Sequence, residues 1–263
     1  MERKLQKYRL AVFILSVVVF IQAGVIVHFW QIKYRKAAKP AVFKGTIAIV
    51  IDDWGYNVNN ADLLEEIKYP LTLSILPHLP YSQRIAQAAG KTGQREVILH
   101  LPMEPLEKYR LEKNTILTSM DEAAVSDIIE ADLTSLDNVR GVSNHMGSRA
   151  TADVYTMGII FKKLKQKGLY FLDSVVSSSS VAQTLAHQIR LGFAKRDVFI
   201  DNKSDPDYIK AQLYRLKTKA RTLGRAIGIG HDHTITLEVL KEVMPQLYAE
   251  GYRFVLVSEL LEK

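Results

Sequence analysis

Two adjacent carboxylates follow an apolar run near the start of the chain. Asp52 and Asp53 come directly after residues 46–51, which read TIAIVI. Two carboxylates beside a dry core repel each other, so they need a cation or a shared proton. The alternative is that these aspartates only form a turn or cap a helix, because Gly55 and several asparagines follow them. The positions of the histidines favour the first interpretation.

Histidine recurs where other predicted strands end. Because the carboxyl ends of parallel strands meet at one edge of a sheet, we expect these histidines to converge with the aspartates. Carboxylate and neutral imidazole suit Zn²⁺ or a similar divalent ion, with about three protein ligands and an open position for water. A single histidine at a strand end is more often structural, but several together predict a metal site with acid–base groups. Five of the seven histidines take such a position: His78, His100, His145, His231 and His233.

Apolar runs alternate with amphipathic segments from residue 46 to the end of the chain. The predicted strands are Thr46–Ile51, Leu71–Leu76, Glu96–Leu101, Val139–Ser143, Tyr170–Asp173, Asp197–Ile200, Arg225–Ile229 and Arg253–Val257. The predicted helices are Ala61–Ile67, Tyr81–Ala89, Asp121–Leu136, Thr156–Gln166, Val181–Arg190, Asp205–Thr222 and Thr234–Ala249. This alternation indicates an α/β fold with a largely parallel sheet. We predict a distorted (β/α)7–8 barrel of mostly parallel strands, with an open, doubly wound sheet as the alternative.

The N-terminal part of the chain predicts a membrane anchor. Residues 10–30 are uncharged and almost wholly apolar. A helix of this length, at about 1.5 Å per residue, spans a hydrocarbon core of about 30 Å. A cleaved signal peptide is the alternative, although its apolar core would be shorter, about 7–15 residues. We predict that residues 1–44 form a cytoplasmic tail, one transmembrane helix and a basic linker, and that residues 45–263 form an extracytoplasmic domain.

The distribution of charge limits the possible partners. Residues 1–44 contain nine Lys or Arg and one acid, giving a net charge of +8 against +7 for the whole chain. Residues 45–263 therefore sum to −1 and lack the excess of basic residues that a nucleic-acid partner requires. No glycine-rich phosphate-binding motif follows the first strand. The chain also has no cysteine, which excludes disulfides and thiolate metal sites.

Six motifs are ordered along nearly all of residues 45–263. They are residues 51–56 (IDDWGY), 100–105 (HLPMEP), 144–149 (NHMGSR), 171–174 (FLDS), 196–202 (RDVFIDN) and 229–231 (IGH). These motifs resemble the divergent polysaccharide deacetylases, a remote branch of the metal-dependent carbohydrate deacetylases. The resemblance implies a distorted (β/α) barrel with a metal-dependent hydrolase pocket, and a carbohydrate as the partner.

The resemblance also implies a set of metal ligands. Asp53 matches the ligand aspartate of the wider superfamily, and His100 matches its first ligand histidine. The second ligand histidine of the superfamily follows a few residues later, where this chain has Met103 and Glu104. His145, from the next predicted strand, is the natural replacement. The cofactor implied is one divalent ion such as zinc.

The remaining roles follow from the same resemblance and from position. Asp52 matches the general base, and His231 matches the late histidine that acts as general acid. Asp173 is a candidate for orienting a catalytic group, and Arg149 is placed to clamp Asp52, with a surface arginine as its alternative. The residues predicted to contact substrate are Trp54, His78, Asn144, Ser174, Asp201 and Asn202, and Trp54 is equally compatible with a core position.

Two functions are compatible with the sequence. The first is a membrane-anchored, metal-dependent amidohydrolase that removes acetyl groups from an N-acetylated envelope glycan. The second is a deacetylase-fold protein with weak or no catalysis that binds glycan or a cell-envelope partner. The absent second histidine favours the second function, whereas the set of Asp52, Asp53, His100, His145 and His231 favours the first.

Overall fold

A computed structural model provides the structure of the 263-residue chain. It describes residues 8–9, 15–17, 19–24, 42–91 and 93–262. Contacts divide the chain into two units, Met1–Ala41 and Val42–Lys263. The predicted membrane anchor at residues 10–30 falls largely outside the described residues, and no described helix is both long and apolar enough to cross a membrane.

Strands and helices alternate along the second unit, except that two short strands, Phe193–Lys195 and Val198–Phe199, follow each other directly. The strands are β1 (Gly45–Trp54), β2 (Leu71–Ile75), β3 (Arg95–Met103), β4 (Val139–Met146), β5 (Tyr170–Asp173), β6 (Phe193–Lys195), β7 (Val198–Phe199), β8 (Arg225–His231) and β9 (Tyr252–Val255). The helices are α1 (Ala61–Glu66), α2 (Ser82–Ala89), α3 (Glu122–Thr134), α4 (Val154–Lys167), α5 (Ala182–Ile189), α6 (Pro206–Leu223) and α7 (Thr234–Ala249), with short 3₁₀ helices at Ala150–Ala152 and Val257–Leu260.

The strands form one parallel sheet that curls into a half-barrel. Its order is β6-β5-β4-β3-β2-β1-β8-β7, and β9 also pairs with β1. β1 is therefore central, with β8 along one side and β2 and β9 sharing the other. Every pairing between these strands is parallel, which confirms the α/β prediction. From β7 through β8 and β1 to β6 the strands follow in cyclic chain order without the reversal of a doubly wound sheet, which favours the barrel.

The two faces of each strand have different roles. Ile47, Ile49 and Ile51 of β1 pack into the large core between the sheet and the helices. Ala48 and Val50 point to the other side, into a smaller apolar cluster within the curl of the sheet. Because strand side chains alternate with period 2, the next residue on that inner face is the first carboxylate. The inner face is thus apolar in the middle and polar at its carboxyl end.

Helix boundaries follow the capping signals, with one correction. Asp205 accepts a hydrogen bond from the backbone of Tyr208 at the start of α6, and Gly224 ends that helix at φ +80°. The sequence suggests Ser119 as the N-cap of α3. The cap is instead Asp121, whose carboxylate accepts a hydrogen bond from Ala124 N at 2.8 Å. Both carboxylates satisfy orphan N–H groups of a first helical turn.

Candidate active site

A bulge at the end of β1 brings the two aspartates to one site. The register with β2 shifts between Ile51 and Trp54, and Asp53 has φ +65°. Positive φ is uncommon outside glycine and is typical of functional positions. Adjacent strand residues normally face opposite sides, whereas here Asp52 is buried on the inner face and Asp53 stands at the rim with its side chain 32% exposed.

The same bulge removes one predicted substrate contact. Without it, the alternation along β1 would place Trp54 on the inner face beside Asp52. The bulge turns the indole to the other side, where it is completely buried in the core between sheet and helices. The prediction that Trp54 stacks on a sugar ring is therefore wrong, because the side chain has no exposed face.

The three predicted metal ligands come together at the rim. His100 Nε2 lies 3.2 Å from Asp53 Oδ1, and His145 Nδ1 lies 3.1 Å from the same oxygen. The two imidazole rings meet edge to face, with centroids 4.9 Å apart. Burial alone would raise the pKa of Asp53, but the hydrogen bonds from His100 and His145 hold it well below its ordinary value. Asp53 is therefore a carboxylate at neutral pH.

These donors fit a divalent cation. Metal–ligand bonds of about 2.0–2.2 Å place tetrahedral ligands about 3.3 Å apart, close to the spacing seen here. One carboxylate and two imidazoles also match the ligands of a catalytic zinc that keeps an open position. His100 is oriented for this role because its Nδ1 lies 2.8 Å from the hydroxyl of Ser143, so Nε2 faces the other two ligands. Ser143 in turn contacts Ser74 at 2.7 Å, and both serines are fully buried.

Asp52 lies next to the ligands, and one of its two oxygens has no partner among the described residues. Its Oδ1 is buried and has no hydrogen-bond partner among the described residues, while Oδ2 is 3.7 Å from His100 Nε2. Burial raises the pKa of Asp52, opposed by His100. A buried polar atom without a partner requires an explanation. An oxygen free to accept a proton from a reacting water is one such explanation.

His231 faces the site from β8, opposite Asp52 in the strand register. Its Nδ1 lies 2.9 Å from Asp201 Oδ1, and its ring stacks on Phe199 with centroids 5.8 Å apart. Burial lowers the pKa of His231, but the hydrogen bond to Asp201 raises it to about 9 on balance. The structure thus changes the role predicted for Asp201, which was expected to contact substrate and instead orients a protonated histidine.

Asp201, His231 and His233 form a second group of possible ligands, but their hydrogen bonds argue against a metal. Oδ2 of Asp201 accepts from the backbone N–H of His231 and from the hydroxyl of Thr236, at 2.7 and 2.8 Å. Oδ1 accepts from the His231 ring. Oδ2 of Asp201 is therefore held by donors that are not candidate ligands, whereas the hydrogen bonds of Asp53 join it to the candidate ligands His100 and His145.

The predicted clamp of Asp52 by Arg149 is not present among the described residues. Arg149 Nε lies 3.2 Å from Glu104 Oε1, so this residue ties two loops together and does not hold Asp52. Burial lowers the pKa of the Arg196 guanidinium, and the charges of Asp173, Asp52 and Asp197 raise it. Its guanidinium donates to the carbonyls of residues 174 and 175, at 2.6 and 2.9 Å, and lies 3.7 Å from the ring centroid of Phe199.

Three other predicted residues shape the rim and are buried. The carboxylate of Asp173 accepts from Val175 N and from the Ser180 hydroxyl, each at 2.7 Å, so it orders its own loop. Asn144 Oδ1 accepts from Ser174 N at 2.8 Å, which joins the ends of β4 and β5. Burial leaves Asn144 and Ser174 little surface for a substrate, and their observed role is to hold the rim.

The last two predicted substrate contacts are exposed. His78 follows β2, and its Nε2 lies 2.8 Å from the buried carboxylate of Asp132. Asn202 is exposed just after Asp201. Contact of either residue with a substrate stays a prediction.

Sequence reasoning misses Ser143, Arg196 and the orienting role of Asp201. Arg196 and Asp201 lie within one of the six motifs, RDVFIDN, but a motif does not say which side chain meets which. Ser143 stands two residues before His145 on β4 and so shares its face of the sheet. That spacing is the one sequence signal for Ser143.

Comparison with known proteins places the chain among relatives. The family model for divergent polysaccharide deacetylases matches residues 49–261. The uncharacterized protein YibQ of Escherichia coli K12 is 35% identical over 211 residues, which cover 80% of this chain and 66% of that protein, just under two thirds of its length. An uncharacterized protein of Haemophilus influenzae Rd is 32% identical over 195 residues, covering 74% of this chain and 69% of the relative.

Solved structures share the fold at low identity. The uncharacterized protein ATU2773 of Agrobacterium tumefaciens C58 has a TM-score of 0.79 at 23% identity, covering 83% of this chain and 90% of its own. BA3943, a CE4 family pseudoenzyme of Bacillus anthracis, has a TM-score of 0.52 at 17% identity, covering 83% of this chain and 66% of that chain. The catalytic domain of a peptidoglycan N-acetylglucosamine deacetylase from Eubacterium rectale has a TM-score of 0.51 at 16% identity, covering 84% of this chain and 92% of that chain.

Proposed function

We propose that this chain, which belongs to the divergent polysaccharide deacetylase family, is a metal-dependent amidohydrolase that removes acetyl groups from an N-acetylated glycan. The observation that carries the proposal is the Asp52 oxygen without a partner, Oδ1, beside the Asp53, His100 and His145 donors. A base with a free oxygen, a two-histidine, one-carboxylate ligand set and a protonated His231 face one another. Together they are the groups that amide hydrolysis requires.

Asp53, His100 and His145 would hold the divalent cation. When bound, such a cation polarises the substrate carbonyl and lowers the pKa of the attacking water. Ser143 keeps the His100 ring in the orientation in which Nε2 is the ligand atom. The strained backbone at Asp53 keeps its carboxylate at the rim, where substrate can reach it.

Asp52 acts as the general base. Its free Oδ1 accepts the proton of the water whose oxygen bonds to the acetyl carbon. Burial raises the pKa of this carboxyl, which brings it closer to neutrality and makes it a stronger base once ionised. The buried position also excludes bulk water, so the carboxylate is not already hydrogen-bonded to solvent.

His231 acts as the general acid. An amine is a poor leaving group unless it is protonated as the C–N bond breaks. The raised pKa keeps His231 charged at neutral pH, and Asp201 holds the ring so that Nδ1 is occupied and Nε2 is left to donate. The products are acetate and the free amine of the sugar.

Acetate release tests the proposal. The purified full-length chain, incubated with zinc and N-acetylglucosamine oligosaccharides, should release acetate, and the Asp52→Asn variant should release almost none. Glu96→Gln is the matched control, because Glu96 is another buried carboxyl on the inner face of the sheet. It lies at the start of β3, whereas His100 lies toward the end of that strand. Equal activity of the parent protein and the Asp52→Asn variant would contradict the proposed mechanism.

One observation favours the alternative of a binding protein without catalysis. Met103 and Glu104 stand where the superfamily has its second ligand histidine, and Met103 is buried while Glu104 pairs with Arg149. His145 must then supply the missing ligand from another strand. Glycan binding without acetate release, in metal-loaded protein, would favour this alternative.

We also propose that the domain lies outside the cytoplasm, anchored by residues 10–30. The support is the length and uncharged character of that segment behind a short basic tail. A reporter that is active only outside the cytoplasm, fused after Lys263, should be active. An inactive reporter on full-length protein would place the domain in the cytoplasm and exclude an envelope glycan as substrate.

A further inference from the structure

A large cavity lies at the amino ends of the strands, at the opposite end of the sheet from the candidate active site. Its volume is about 750 Å³, and it is lined by the first residues of β3 and β4 and by the residues that lead into β5 and β6. The charged residues in its lining are Arg95, Glu96, Arg140, Lys165 and Arg190. Four of these five are cations, so the cavity has an excess of positive charge. A cleft with an excess of one charge concentrates ions of the opposite charge.

Two of these charged side chains are already engaged in the fold. Glu96 Oε1 accepts hydrogen bonds from the hydroxyls of Tyr170 and Thr72, at 2.8 and 3.0 Å. The Nη donors of Arg95 are bonded to the backbone carbonyls of residues 64, 67, 69 and 94. Arg95 therefore joins the start of β3 to the end of α1, and its Nη donors are used by the fold itself.

Arg140 and Arg190 have no such partners. Both residues are exposed, and neither side chain makes a hydrogen bond or an ion pair with any described residue. A guanidinium group has five N–H donors in a fixed plane, a geometry that matches the oxygens of a carboxylate or a phosphate. Two such groups in one cavity, with no acidic partner in the described part of the chain, favour an anion as the ligand.

The fold places these two arginines on either side of one strand. The register between β3 and β4 shifts between Val97 and Ile98, where Arg140 is the extra residue on β4. Such a bulge changes the direction of a side chain relative to its neighbours. Arg190 ends α5 with φ +55°, three residues before β6 begins. Because β5 lies between β4 and β6 in the sheet, the two arginines flank the start of β5.

Lys165 adds a third cation next to Arg190. Its ammonium group donates to the carbonyl oxygen of Ile189, the residue before Arg190, and has two further N–H donors. Lys165 lies in the last turn of α4, the helix that leads into β5. The lining also contains apolar side chains, at Val97, Leu169, Leu191, Leu256 and Leu261.

We propose that this cavity binds a phosphate monoester group, held by Arg140, Arg190 and Lys165. A phosphate monoester carries a charge of about −1.5 to −2 at pH 7 and has three strong acceptor oxygens, so one group can bind several cations at once. A carboxylate carries a single charge and would leave the excess of positive charge uncompensated. The leucines suit an apolar substituent, as in a lipid phosphate, whereas a small free phosphate would use the cations alone.

Isothermal titration of the full-length protein in a neutral detergent tests the inference, with inorganic phosphate, hexyl phosphate and hexanoate as probes. Hexyl phosphate should bind more tightly than hexanoate, which has the same alkyl length class but a single charge. Inorganic phosphate that binds as tightly as hexyl phosphate would support a small free phosphate as the ligand. Tighter binding of hexyl phosphate would support a phosphate on an apolar molecule.

Arg140→Gln and Arg190→Gln should each weaken the binding of hexyl phosphate about tenfold, the contribution of one charge-assisted hydrogen-bonded contact. Both residues are exposed, so the free energy of unfolding in urea should stay close to that of the parent protein. If one variant is unstable, the other gives the result.

The matched control is Arg221→Gln. Arg221 is also exposed and without a hydrogen bond or ion pair to the described residues, but it lies on α6 and does not line this cavity. Equal weakening of hexyl phosphate binding by Arg221→Gln and by the two cavity variants would overturn the inference. Hexanoate that binds as tightly as hexyl phosphate would overturn it as well, and so would the absence of binding of both phosphates.

Discussion

The two ends of the half-barrel each bury a carboxyl on the inner face of the sheet, and they treat it differently. At the amino end, Glu96 Oε1 accepts from the Thr72 hydroxyl, the Tyr170 hydroxyl and the backbone N–H of Ser258, at 3.0, 2.8 and 3.3 Å. At the carboxyl end, Asp52 Oδ1 has no partner in the described part of the chain. Glu96 has no oxygen among the buried atoms that lack a partner, whereas Asp52 has one and also faces the titratable groups His100, Asp53 and His231.

This difference separates a structural carboxyl group from a reactive one. The donors to Glu96 come from β2, from β5 and from the 3₁₀ helix at Val257–Leu260, so the hydrogen bonds fasten the C-terminal segment to the sheet. A cavity of about 750 Å³ lies at this end and is lined by Glu96 and Tyr170 together with Arg95 and Arg140. Size alone therefore does not mark the site of chemistry, since this cavity lies far from the metal ligands.

The largest effect expected is the loss of turnover in Asp52→Asn. A general base typically contributes about 10²–10⁴-fold, and the amide that replaces the carboxylate cannot accept the proton of water. The free energy of unfolding should stay the same or increase, because burial of the charged form is unfavourable. Acetate release and urea denaturation measure the two quantities. Loss of stability without loss of turnover would show that Asp52 is structural, as Glu96 is, and would contradict the proposed difference between the two ends of the sheet.

The next effect is on metal affinity. Ser143→Ala removes the hydroxyl that orients His100 and should weaken metal binding about 10–100-fold. Competition with a chromophoric chelator measures this affinity. Ser82→Ala is the control, since Ser82 is equally buried but donates to the carbonyl of Leu76. Equal losses in the two variants would show that burial of a serine matters and contact with the ligand does not.

Because His231 is the proposed general acid, turnover should fall at alkaline pH. The pKa of His231 is raised to about 9, so the histidine is charged below that pH, and turnover should fall about tenfold per pH unit above it. The stability that the pair with Asp201 provides is fully present below the unfolded pKa and is lost as pH rises through about 9. Asp201→Asn removes the charge that raises this pKa and should move this fall toward lower pH. If the pH at which turnover falls does not change in Asp201→Asn, a group other than His231 controls that fall.

The smallest effect on chemistry is expected at the amino end. Glu96→Gln keeps one acceptor oxygen but puts an amide in place of the carboxyl that accepts from Thr72, Tyr170 and Ser258, which should lower the free energy of unfolding by about 1–2 kcal/mol. Turnover should not change, because Glu96 lies at the other end of the sheet from the metal ligands. Urea denaturation and acetate release give the two values. A loss of turnover at unchanged stability would contradict the structural role.

Sequence patterns are sufficient for the parts of the site that depend on strand order. Parallel strands place their carboxyl ends together, so the order of the strands is enough to group Asp53, His100 and His145. The predicted helix bounds are also close to the observed ones, because capping aspartates and Gly224 are local signals. The predicted helix Thr234–Ala249 has the bounds of α7.

The rest of the site depends on geometry that local patterns do not contain. The bulge at Asp53 extends β1 to Trp54, three residues past the predicted end, and reverses the side to which the indole points. Arg196 does not stand out in the sequence as a cation near the base, because its position relative to Asp52 depends on how the sheet curls. The short strand β6 is not predicted either, since its three residues carry almost no periodic signal.

Metal content tests the central claim most directly. Full-length protein purified without chelator and supplied with zinc should contain about one ion per chain by elemental analysis. Asp53→Ala and His145→Ala should each lose it, whereas Asp52→Asn should keep it, because Asp52 is a base and not a ligand. Folded protein that contains no metal under these conditions, or variants that all retain it, would contradict the account of the carboxyl end as a metal-dependent active site.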